Sequence, residues 1–144
     1  MREFLKAAWR NPEQIRAAFG SFCESAINSE PTSAHYALKA LAQEKEVAII
    51  TENVDLLQQR TGIEPIFALS ELLASVSEAD WRQIDAIICI GLSHDDRGLL
   101  AWYKQQNPEG LLVAIDLKIP NYLSDNDYVC LGDLQEILSQ LGNY

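Results

Sequence analysis

The sequence predicts an α/β protein built on a parallel sheet, and three observations carry that prediction. Short, wholly apolar runs alternate with stretches of helical periodicity along most of the chain. The run 47–50 (VAII) has no polar interruption, the pattern of a strand buried on both faces. It ends in Thr51, Glu52 and Asn53, with Asp55 just beyond. Polar residues at the carboxyl end of such a strand lie where open α/β sheets bind their ligands.

Taken in order, the chain opens with helix. Phe4, Leu5, Ala8 and Trp9 follow helical spacing, and Asn11-Pro12 breaks the run, with Pro12 suited to a new first turn. Ile15, Ala18, Phe19, Phe22 and Ala26 then make an apolar stripe that reads as core packing. Thr32 or Ser33 caps the next helix, and His35 in its first turn reads as a packing or capping residue rather than a ligand. The first strand is 47–51, followed by a short helix over 55–61 with Gly62 beyond its end. Residues 65–70 (PIFALS) are the second strand; a short helix (ELLASV) and an acidic helical piece with Ser77, Glu78, Asp80 and Trp81 follow. The third and most apolar strand is 86–92 (AIICIGL), ahead of a helix over 95–106. Strands at 111–117 and 128–131 and a helix over 133–141 complete the pattern. Alternation of this kind argues for a parallel sheet with right-handed crossovers.

The totals narrow the function classes. At 144 residues the chain is the size of one domain, 1–144, with residues 1–30 as a helical N-terminal extension. The net charge of −10 comes from 21 acidic and 11 basic residues. Such a field repels nucleic acid and anionic membranes, so neither is expected as a partner, and it weakens attraction for polyphosphates. The first twenty residues carry charges throughout, unlike a secretory signal, and no apolar run approaches the ~20 residues of a membrane span. A cytoplasmic location is the expectation. Cys23, Cys89 and Cys130 are dispersed without a CxxC pair, and with two histidines they do not supply structural zinc, so no metal is expected. Cys89 and Cys130 lie inside apolar runs and read as buried thiols.

No G-x-G-x-x-G or GxxxxGK[ST] run exists among the seven glycines. Gly91-Leu92-Ser93, a small turn after the third strand, is the nearest substitute for a phosphate loop. Asp95 and Asp96 just beyond it would repel an anion, so structural capping is the preferred reading. Ser93, His94 and Asp95 hold the residue types of a nucleophilic triad, but consecutive residues cannot take its geometry. Glu52, Asn53 and Asp55 suit either hydrogen bonds to ribose hydroxyls and a nicotinamide amide or capping of the following helix. Asp116, at the end of the fourth strand, suits either a ribose diol or a turn before Lys118 and Pro120.

The order of these residues resembles the sirtuins, the NAD-dependent protein deacylases. Pro31, His35, Tyr36, Ala37 and Leu38, then Ile50-Thr51-Glu52-Asn53-Val54-Asp55, then Gln59-Arg60-Thr61-Gly62 follow that family's PNxxHxxL and ITQNIDxLHxRAG. Ile90-Gly91-Leu92-Ser93 is similar to its IGTS, Ile115-Asp116-Leu117 to its IN strand end, and Gly132-Asp133 with Glu136, Ile137 and Leu138 to its GDxxEVL. The likeness runs from about Asn11 onward. It implies a Rossmann-like three-layer parallel sheet of about five strands with extra N-terminal helices. It also implies a residual pocket for NAD or ADP-ribose at Asn53, Asp55, Gly91 and Ser93, with Thr51, Glu52 and Asp116 beside it.

The departures bear on chemistry. The family's opening strand, GAGxS loop and PDFR segment have no counterpart, and the CxxC pairs of its zinc module are absent. Ser70 stands where the family's ELHG histidine would be, and a serine hydroxyl is no base near neutral pH. Glu52 and Asp116 replace a glutamine and an asparagine. The expectation is a degenerate domain that acts by binding, to a protein partner, to a second copy, or to NAD or ADP-ribose. The alternative is a small enzyme working on an NAD or nucleoside ribosyl bond through its strand-end carboxylates. Removing the first strand from the order 3-2-1-4-5-6 and closing the gap gives 2-1-3-4-5. Otherwise another chain or a missing segment supplies the central strand.

Overall fold

The protein is described from a computed structural model covering residues 12–44, 46–53, 55–67 and 78–141. The helical reading of residues 4–9, the helix after Ser70, and Ser70 and Ser77 themselves lie outside the described residues. Helix α1 (Pro12–Asn28) opens on a proline, whose missing N–H costs nothing in a first turn. Helix α2 (Ser33–Glu44) is capped by the Thr32–His35 pair: Thr32 Oγ1 lies 2.7 Å from His35 Nδ1, and the Thr32 N–H donates to the same nitrogen. Strand β1 (Ile50–Thr51) runs parallel to β2 (Ile66–Phe67), with α3 (Leu57–Arg60) between them. Gly62, at φ 86°, closes α3 in the left-handed conformation expected after a helix end.

After α4 (Glu78–Trp81), strands β3 (Ala86–Ile90), β4 (Leu111–Asp116) and β5 (Tyr128–Leu131) form a parallel sheet in that order. Ala86 stands opposite Leu111 and Val113 opposite Tyr128. Helix α5 (Leu99–Gln106) connects β3 to β4. Helix α6 (Leu134–Leu141) follows β5, its start fixed by the Asp133 carboxylate accepting the Gln135 N–H at 2.7 Å.

Two clusters cover the two faces of this sheet, giving the expected three layers. On one face Trp81 of α4 and Leu100 and Tyr103 of α5 pack on Cys89 and Leu112, with Ile66 of β2 at the margin. On the other, Ala34 of α2 and Leu138 of α6 pack on Ile115. The Gln135 side chain ties α2 to α6 by accepting the Ala34 N–H at 3.2 Å. Burial pushes the Cys89 thiol up to about 11, which leaves it protonated at neutral pH, as a structural thiol should be.

The polar centre of the fold is Asp127, in the loop before β5. Its carboxylate accepts the Lys104 ammonium at 2.8 Å, the Leu112 N–H at 2.9 Å, and both the N–H and hydroxyl of Ser124. Its side chain is fully buried. Burial raises the affinity of this carboxyl for a proton, but the Lys104, Ser124 and Leu112 bonds outweigh it and hold the group well below the usual carboxylate range.

The structure departs from the sequence expectations at six places. Among the described residues the strands fall in two parallel groups, β1–β2 and β3–β4–β5, with no ladder between β1 and β3. Val47 and Ala48 precede the strand and are exposed, and Ile50 is 39% exposed, since among the described residues β1 pairs with β2 alone. The third strand ends at Ile90, where Gly91 turns the chain at φ 63°. Helix α5 begins at Leu99 rather than 95, since residues 95–98 form a turn in which the Gly98 N–H bonds the Asp95 carbonyl. Cys130 is exposed on the edge strand β5, and Phe19 and Phe22 of the apolar stripe on α1 are 61% and 53% exposed.

Candidate functional site

The segment after β1 is shaped by its own polar side chains. The Thr51 hydroxyl accepts the Asn53 N–H at 3.1 Å, and the Asp55 carboxylate accepts the Leu57 N–H at 3.0 Å, steering the chain into α3. Leu56, between them, is left-handed at φ 60°, a conformation that a leucine adopts only when its surroundings impose it. This turn sets Glu52, Asn53, Asp55 and Leu57 along one wall of a cavity of about 370 Å³. The rest of the lining is Phe22, Ser25 and Ala26 of α1 and Ser29 just beyond its end, whose hydroxyl donates to the Ser25 carbonyl at 2.7 Å. Ligand pockets begin at roughly this size.

Helix α1 is held there by Arg60. Its guanidinium donates to the carbonyls of Ile27 and Ser29, capping the carboxyl end of α1, and stands 4.0 Å from Glu30. Sequence reading missed this wall. Phe22 and Ala26 were legible only as a packing stripe, and nothing in the sequence marks Ser25 or Ser29 as facing the turn after β1.

The remaining candidates form a second group at the ends of β3 and β4. Ser93 Oγ stands 3.5 Å from Asp116 Oδ2, and Asp116 Oδ1 accepts the Leu117 N–H at 2.6 Å and the Lys118 N–H at 3.3 Å. Asp116 is thereby a turn residue that also meets Ser93. Gly91, exposed beside them, makes the turn. The two groups are bridged by the Glu52–Arg97 ion pair at 2.9 Å, both side chains being more than half exposed. Glu52, Asn53 and Asp55 thus line the cavity, while Thr51 shapes their turn and Gly91, Ser93 and Asp116 stand apart from the lining. Ser93, His94 and Asp95 form no triad: Ser93 turns to Asp116, and Asp95 Oδ2 accepts the Ala101 N–H at 3.0 Å. Among the described residues no three metal-ligating side chains converge, and no helix is long and apolar enough to cross a membrane.

The fold is similar to that of solved Sir2 proteins. A mutant Sir2 homologue in complex with 2'-O-acetyl ADP-ribose superposes with a TM-score of 0.78 at 18% identity, covering 96% of this chain and 76% of that one. A Sir2 homologue in complex with NAD gives 0.76 at 18% identity, over 96% and 73%. Sir2 bound to an acetylated peptide gives 0.73 at 15% identity, over 96% and 81%. No curated protein matches the chain in sequence. The model of the Sir2 family matches residues 3–83, more than half of the chain and the part that builds the cavity. By that match, and with a fold to agree with it, the chain belongs to the Sir2 family.

Proposed function

We infer that the protein binds the nicotinamide–ribose end of NAD without carrying out deacylation. The observation that carries this reading is the cavity, which Asn53 lines together with the Glu52 and Asp55 carboxylates and the Ser25 and Ser29 hydroxyls. An amide and hydroxyls supply the donors and acceptors that a carboxamide and a ribose need. Phe22, Ala26 and Leu57 supply the apolar surface for a ring. The nicotinamide of oxidised NAD is cationic, which suits a site carrying the Asp55 carboxylate, with Glu52 balanced by Arg97, whereas the Asp55 charge disfavours a pyrophosphate. The residues therefore fit one end of the dinucleotide better than the other, and NAD is preferred to ADP-ribose, which lacks the ring. Bound NAD would bring that ring and its ribose hydroxyls to Asn53, with Arg60 keeping α1 in place as the lid wall.

Absence of deacylation rests on Ser70, at the position where the resemblance puts the catalytic histidine. The alternative, ribosyl chemistry through strand-end carboxylates, gains nothing from the geometry: Asp55 caps Leu57, Asp116 holds the Leu117 and Lys118 amides, and Glu52 pairs with Arg97. Incubation with NAD and an acetylated lysine peptide tests both readings. The expected result is no nicotinamide release above the buffer control. Release that depends on Asn53, or that disappears in Glu52→Gln or Asp116→Asn, would overturn it.

A further inference from the structure

The cavity carries two carboxylates, Glu52 and Asp55, and they are held in different ways. Asp55 accepts the Leu57 N–H at 3.0 Å, a bond from a neutral donor that leaves its negative charge in place. Glu52 meets the Arg97 guanidinium at 2.9 Å, and a full positive charge at that distance largely offsets its own. While the pair is closed, the lining acts on a ligand with the charge of one carboxylate rather than two.

Arg97 belongs to the loop between β3 and α5, and two bonds fix that loop. The Gly98 N–H donates to the Asp95 carbonyl at 3.1 Å, and Asp95 Oδ2 accepts the Ala101 N–H at 3.0 Å. Asp95 is thereby committed to the first turn of α5, while Arg97 reaches across to the residue that follows β1. The Arg97 and Glu52 side chains are 55% and 60% exposed, so their pair adds little to folding stability. Its charges still act on a ligand in the cavity, because salt screens little over a few ångströms.

We propose that Arg97 is a specificity-determining residue, which sets through Glu52 how strongly the cavity prefers a cationic nicotinamide ring over a neutral one. The ligand class rests on the nicotinamide-binding reading above; the role of Arg97 goes beyond it. With Arg97 in place, the oxidised ring is favoured by the Asp55 charge alone. Without it, Glu52 adds a second attraction for the cationic ring of NAD and none for the neutral ring of NADH. Arg97 thus moderates the discrimination between the two redox forms of the dinucleotide, and it does so from outside the cavity lining.

The test is calorimetric titration of the 144-residue protein and its variants with NAD and with NADH. The two ligands share their phosphates and adenosine, so the ratio of their affinities isolates the charge of the ring. Arg97→Gln should raise the NAD-to-NADH affinity ratio about fivefold over wild type, with an unchanged urea midpoint. Arg97→Lys keeps the charge and should hold the ratio within about twofold of wild type. Arg97→Gln combined with Glu52→Gln should lose the gain, which assigns the effect to Glu52. In roughly 1 M salt the gain should fall below about twofold. A ratio that Arg97→Gln leaves unchanged, or a gain that persists in the double variant, would overturn the role of Arg97 and leave the nicotinamide-binding reading standing. Binding of neither dinucleotide by the wild-type protein would overturn both.

Discussion

Replacing Asp127 by alanine is expected to lower the stability of the fold by about 3 kcal/mol, read as a shift of the urea midpoint. Asp127 joins Lys104 on α5 and Leu112 on β4 to its own loop, where it also holds Ser124, three residues before it. Truncation strands the Lys104 ammonium, three-quarters buried, and the Leu112 and Ser124 amides. Lys104 keeps only the Gly110 carbonyl, at 2.8 Å. The cost is the desolvation of those orphaned donors more than the loss of the pair itself. The same carboxyl sets a pH dependence. Its folded pKa is depressed, so its contribution is complete above the unfolded carboxylate value of about 4 and is lost as pH falls through the folded value. Below about pH 4 the native protein should therefore lose stability more steeply than Asp127→Asn, by up to about 1.4 kcal/mol per pH unit.

Truncating Trp81 to alanine should cost about 4 kcal/mol, the range for a large buried aromatic. Trp81 is 2% exposed and meets Trp102 edge-on at 4.9 Å and Tyr103 at 6.4 Å between ring centroids. Tyr103 is itself fixed, its hydroxyl donating to the Ile84 carbonyl at 2.7 Å, so the cluster has little freedom to collapse into the space. Trp81→Phe preserves part of the ring packing and should cost less than half as much. Thermal unfolding followed by circular dichroism separates the two variants. A loss below about 1 kcal/mol for Trp81→Ala would mean that this face of the sheet is not packed as described.

Features governed by neighbours a few residues away were legible in the sequence. Pro12 opens α1, the Thr32–His35 pair caps α2, Gly62 closes α3 and Asp133 starts α6, each by chemistry local to the helix end. The parallel β3–β4–β5 sheet followed from apolar runs with helices between them. What escaped depends on distant partners. The apolar run before Thr51 announces burial but not the element that would bury it, and here Val47 and Ile50 are exposed. The acidic residues after β3 suit a first helical turn as well as the turn they form ahead of Gly98. Asp127, one of several polar residues in a loop, carries no sequence mark of the lysine it meets on α5. The site shows the same division. Glu52, Asn53 and Asp55 were legible because a wholly apolar strand ends on them, whereas Ser25 and Ser29 reach them only through the docking of α1 by Arg60.

Calorimetric titration of the protein with oxidised NAD at low salt tests the central claim most directly. The account predicts saturable one-site binding with a Kd of roughly 10–300 µM, weakened about tenfold or more in Asn53→Ala, with ADP-ribose binding more weakly than NAD. No heat up to millimolar NAD, or binding that Asn53→Ala leaves unchanged, would contradict it.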